Sequence, residues 1–172
     1  DAWPRVLVKH PLACLWLIGD GPLRGHLLQT CERMRLHQRV MLPGSFEQLA
    51  DVLASADVYV DPGAPSGPSH ALLQAMAVGL PIVAATASPR SGHPLLQHGT
   101  TGQTVPPEDA AALAQGILAV LDDPIAAGRM GAAARQIAQA EYSLNACLRR
   151  HQELWEALHL SRSNPQPEPI SL

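Results

Sequence analysis

No stretch constrains the fold more than Val58–Ala85. An apolar run, Val58–Val60, enters a Gly/Pro-rich loop at Asp61. A short helix follows from Ser69, Gly79 and Pro81 stop it, and a second apolar run fills Ile82–Ala85. Ser69 stands where a hydroxyl accepts an unpaired backbone N–H at a helix start. Gly79 can adopt the left-handed backbone that ends a helix, and Pro81 forbids its continuation. Strands joined through a helix run parallel, and parallel sheets are covered on both faces. The start of such a helix also suits an anion, because its N–H groups and its dipole point the same way.

The alternation repeats along the chain. Strands are expected at Leu12–Ile18, Val40–Leu42, Val58–Val60 and Ile82–Ala85, with a last edge strand at Gly102–Val105. Helices are expected at Ala2–Lys9 and Leu23–Leu36, from a capping box at Ser45–Gln48, over Glu108–Leu121 and Pro124–Ala140, and after Ser143. Buried stripes should comprise Leu23, Leu27, Cys31 and Met34; Phe46, Leu49, Ala50 and Leu53; and Leu144, Cys147, Leu148, Trp155 and Leu158. This spacing predicts an α/β domain with a doubly wound parallel sheet, Rossmann-like, over residues 1–160. Residues 161–172, with three prolines and no periodicity, are expected to be a disordered tail.

Composition narrows the function. The chain is 47% hydrophobic but has only six aromatics, so Leu, Val and Ala must fill the core. A net charge of −3, with one lysine and scattered arginines, gives neither a nucleic-acid footprint nor a polybasic membrane patch. Cys14, Cys31 and Cys147 suit neither a disulfide framework nor a zinc site and are expected to be buried, reduced thiols. No His/Cys/Asp cluster has metal spacing, so no metal site is expected. No signal peptide is visible, but the chain opens without Met inside a helix, which suggests a fragment.

Ligands of open α/β sheets bind at the carboxyl ends of the strands. Four such ends are readable: Gly19–Pro22, Pro43–Ser45, Asp61–Ser69 and Thr86–His93. Candidate binding residues are therefore Gly19 and Gly21 in the first turn, Pro43 and Gly44 in the second, Gly67 in the third, and the helix start at Ser69, His70, Ala71 and Leu72. Arg90 and His93 are the cations of the fourth. Asp20 and Asp61 read as turn formers.

Five segments, in order, carry a resemblance. Leu17-Ile-Gly-Asp-Gly-Pro22 is similar to the Gly-Asp-Gly-Pro turn of retaining GT-B glycosyltransferases, glycosyltransferase family 4. Arg39-Val-Met-Leu-Pro-Gly44, Ala56-Asp-Val-Tyr-Val60 and His98-Gly-x-Thr-Gly102 with Val105-Pro106 are similar to further segments of that family. Leu72-Leu-Gln-Ala-Met-Ala-Val-Gly-Leu-Pro-Ile-Val83 resembles its Leu-Leu-Glu-Ala-Met-Ala-x-Gly-x-Pro-Val-Val. The resemblance implies the C-terminal, donor-binding half of a bacterial enzyme, of the kind that builds cell-envelope glycans. Such an enzyme moves a sugar from a nucleotide-diphosphate sugar to an acceptor with retention and without an essential metal. It further implies an N-terminal acceptor domain and a first strand bearing Arg and Lys, both outside this chain. The location implied is cytoplasmic, at the inner membrane face, with any membrane contact made through the other half.

The family's Glu-x7-Glu motif is replaced here. Ser66 stands at the first Glu, the catalytic position by resemblance, and Gln74 at the second, which grips the ribose. Gln74 can bond a diol without charge, whereas charged acceptors make bonds roughly twice as strong. Three readings follow: a donor-binding domain that is inactive on its own, a catalytically degenerate domain kept as an interaction module, or a related GT-B enzyme such as a nucleotide-sugar epimerase.

Overall fold

A computed structural model describes residues 1–63, 69–85 and 95–163. Its elements are α1 (Trp3–Lys9), β1 (Leu15–Ile18), α2 (Arg24–Arg33), β2 (Val40–Gly44), α3 (Leu49–Ala54), β3 (Tyr59–Asp61), α4 (His70–Val78), β4 (Ile82–Ala85), β5 (Gln103–Val105), α5 (Ala110–Asp122), α6 (Pro124–Glu141) and α7 (Leu144–Ser163). Every strand pair is parallel, as the alternation of strands and helices requires. β4 is buried along its whole length. Val83 and Ala85 face α1, α5 and the first half of α6, while Ile82 and Ala84 face α4 and the second half of α6. Two helical layers thus cover one sheet, which is the α/β architecture expected.

The sheet itself differs from expectation. The described strands form two sheets, β1-β2 and β3-β4-β5, because β1 and β3 do not pair. β1 is consequently half exposed rather than buried. Trp16 keeps 46% of its surface, and its cross-strand partner Met41 is exposed with it, as is Ile18. α2 shares this fate: Leu23, Leu27 and Leu28 are exposed and only Cys31 is buried. The other two thiols, Cys14 and Cys147, are exposed rather than buried.

Helix ends follow local chemistry. α5 begins at Ala110, two residues after the expected Glu108, with the Asp109 carboxylate accepting the N–H groups of Ala111 and Ala112. Ser143 caps α7 through the Ala146 N–H. α3 begins at Leu49, four residues after Ser45, so the expected capping box does not form and Phe46 is exposed. α7 runs on to Ser163, past the expected end at residue 160, and residues 164–172 lie outside the described set. The α7 stripe is not core: Leu144, Leu148, Trp155 and Leu158 are all more than half exposed. No single helix among the described residues is long and apolar enough to cross a membrane.

Candidate functional site

The carboxyl ends of β1 and β2 meet. The Gly19 N–H donates to the Gly44 carbonyl at 2.9 Å. Gly19 and Gly44 have φ of +123° and +90°, and at neither would an added β-carbon meet another atom. Both conformations suit glycine alone, and together they leave an open strip of bare backbone. Asp20 accepts the Gly21 N–H at 2.8 Å, the turn-forming role expected of it. Pro43 is exposed beside Gly44.

The ends of β3 and β4 meet across Gly63. Its φ is +93°, and a β-carbon there would lie 2.7 Å from the Ala85 carbonyl oxygen, so the chain crosses the end of β4 at backbone contact. Asp61 Oδ1 accepts the Gly63 N–H at 3.0 Å, and Oδ2 accepts the Ser69 hydroxyl at 3.4 Å. Ser69 in turn accepts the Leu72 N–H at 3.0 Å, capping α4. At the other end Gly79 takes the left-handed conformation, φ +89°. Both ends of α4 are therefore as its residues require.

These bonds sort the candidates. The first turn of α4 presents its N–H groups where β3 and β4 end. That of Leu72 is occupied by Ser69, and the Leu72 side chain is core. His70 and Ala71 begin the turn. Gln74 lies one turn further, its Nε2 3.4 Å from His70 Nδ1. The Gln74 Oε1 atom is buried and, among the described residues, has no hydrogen-bond partner. An unsatisfied buried acceptor costs about 1–3 kcal/mol. Ser66, Gly67, Arg90 and His93 lie outside the described residues. Among the described residues no group of three His, Cys, Asp or Glu is placed to hold a metal ion.

Two groups here carry no obvious sequence signal. Tyr59 reads as a core aromatic, yet its phenol is tied to this cluster. Burial pushes its pKa up, the Ser69 hydrogen bond works the other way, and the Asp61 carboxylate adds to the rise. Asp61 does more than shape its turn, since it also reaches the cap of α4. An open hollow of about 350 Å³, lined by Gln97, Thr100 and Gln136 among others, lies near the residues that enter β5, at the opposite edge of the sheet.

Comparison with known proteins fits this geometry. The pattern of the family described as "Glycosyl transferases group 1" matches residues 1–123. A phosphatidyl-myo-inositol mannosyltransferase of Mycobacterium tuberculosis is 34% identical over 142 residues, 77% of this chain and 36% of that protein. A GDP-mannose-dependent monoacylated alpha-(1-6)-phosphatidylinositol monomannoside mannosyltransferase of Corynebacterium glutamicum is 28% identical over 149 residues, 83% of this chain and 38% of that one. The chain thus spans under two-fifths of the length of these relatives. Among solved structures, HepE of Anabaena in complex with UDP superposes with a TM-score of 0.77 at 24% identity, covering 88% of this chain and 44% of that one. With its parallel α/β layers and its five ordered motifs, this chain belongs to the group 1 glycosyl transferases and has the fold of the C-terminal half of a GT-B enzyme.

Proposed function

We propose that this chain is the donor-binding domain of a retaining glycosyltransferase of family 4, taking a nucleotide-diphosphate sugar at the carboxyl ends of β1 to β4. The mouth of α4 carries this reading. There a Ser-capped helix start, the first-turn N–H groups at His70 and Ala71, and the orphaned Gln74 Oε1 lie together. The diphosphate would sit at the helix start. A ribose hydroxyl would donate to Gln74 Oε1 and remove its unsatisfied cost. The nucleoside would lie on the bare backbone of Gly19 and Gly44. UDP in the Anabaena structure supports a nucleotide of this class.

Sugar transfer with retention, without metal or cofactor, would be completed by an acceptor domain outside this chain, at the cytoplasmic membrane face. Among the described residues β1 and β3 each have one unpaired edge, which supports one further parallel strand. α1, which packs on α5 and leads into β1, has the position of a crossover helix from such a strand. Calorimetry of the full-length protein with UDP, GDP and ADP tests the reading: one of them should bind, and binding by none would sink it.

A degenerate binding module is the second reading, and Asp61 favours it. A carboxylate bonded to the α4 cap opposes an incoming phosphate, and neither motif position supplies a Glu. Ser66→Glu with Gln74→Glu separates the two. A gain in transfer argues for a weakened enzyme, and persistent inactivity for the module.

A further inference from the structure

We propose that Arg24 is a positioning residue that locks the ends of β1 and β2 into one wall for the donor's nucleoside; this rests on the donor-site reading above. Arg24 is the first residue of α2, where a cation opposes the helix dipole. Helix formation therefore does not account for it. Its side chain turns back to the sheet instead. Nη2 donates to the Leu42 carbonyl at 2.8 Å in a part-buried contact, and Nε lies 3.9 Å from Asp20 Oδ1.

The ladder between the two strands is irregular at this point. Its register shifts between Trp16 and Ile18, and Pro43 has no N–H to give. Two bonds take over where regular pairing fails: Gly19 N–H to Gly44 and Arg24 to Leu42. Asp20, which shapes the Gly19–Gly21 turn, is thus tied through one guanidinium to the strand carrying Pro43 and Gly44. The planar fork faces the carbonyl and the carboxylate with two separate, fixed nitrogens, whereas an ammonium would have to bring both to one nitrogen.

Arg24→Gln and Arg24→Lys in the full-length protein test this, with calorimetry against UDP, GDP, ADP and inorganic pyrophosphate. In Arg24→Gln the dissociation constant of the preferred nucleotide should rise about tenfold, the effect of one hydrogen bond from a charged group, while that of pyrophosphate stays put. Arg24→Lys should fall between. Amide exchange at Gly19 should quicken about tenfold in Arg24→Gln, with β4 protection unchanged. Unchanged nucleotide affinity, or unchanged Gly19 exchange, would overturn the proposal. So would parallel losses for nucleotide and pyrophosphate with weaker β4 protection, since that pattern marks general loosening. Wild-type protein that binds none of the three nucleotides defeats the donor-site reading itself, and this inference with it.

Discussion

Ser69 works at two levels. Its hydroxyl accepts the Leu72 N–H and donates to Asp61, so it both caps α4 and ties the helix start to the end of β3. Ser69→Ala should cost about 1 kcal/mol, the usual worth of a lost cap, whereas Ser69→Gly should cost a few tenths. Urea unfolding of the two variants checks this, and a Ser69→Ala variant as stable as wild type would show that the hydroxyl does not act as the cap. A second residue, Asp122, ties α1 to α5. Its carboxylate is held below the usual range chiefly by the Lys9 hydrogen bond and then by that of His10. A folded-state pKa below the unfolded value of 3.8 adds stability above that value, and the gain is lost as pH falls through the folded pKa. Asp122→Asn should therefore be less stable than wild type at neutral pH, with the difference vanishing in acid. Thermal melts across that range test it, and a difference that grew on acidification would contradict it. The Ser69 cap was legible because its residue type is the signal. The Asp61 bond to Ser69, the Arg24 bond to Leu42 and the Asp122 pairs with Lys9 and His10 were not, since each partner is set by how separate elements pack.

Among elements, α4 and α6 show what packing demands of sequence. A β-carbon on Gly131 would run into the carbonyl of Gly79, the C-cap of α4, whereas one on Gly128, on the exposed side of the same helix, would meet nothing. Gly131→Ala should destabilise by about 1–3 kcal/mol as an overpacked contact. Gly128→Ala should gain up to about 1 kcal/mol from helix propensity. Melting temperatures moving in opposite directions would confirm the contact, and a neutral Gly131→Ala would remove it. Both glycines look alike in the Ala-rich sequence of α6, because periodicity gives a face but not a crossing point. Element ends were legible only where the cap is typical. Gly79 was readable, while α2 ends early in a turn with Arg35 at φ +56°, a role usually filled by Gly. The α3 start was misread because the Ser45 and Gln48 pattern fits a capping box that the chain does not use.

For the whole molecule, alternation of strands and helices was enough to read the architecture, but not the pairing of strands. Apolar runs state that a strand wants burial, and Leu12–Ile18 states it as strongly as Ile82–Ala85. What separates them is the neighbour on each edge. β4 pairs on both sides and has helices on both faces, whereas among the described residues β1 pairs only with β2 and leaves Trp16 and Ile18 partly exposed. Cooperative stability follows buried contact, so the two sheets should open at different free energies. Under native conditions β4 amides should exchange slowest, near the limit of global unfolding. β1 and β2 amides should exchange at least about a hundredfold faster, through local opening that does not disturb β4. Rising urea should bring the two classes together only as the global transition is approached. If β1 and β4 instead share one exchange rate at all urea concentrations, the two sheets behave as a single cooperative unit. The exposed face of β1 would then have to be held by contacts other than those described for α2 and β2.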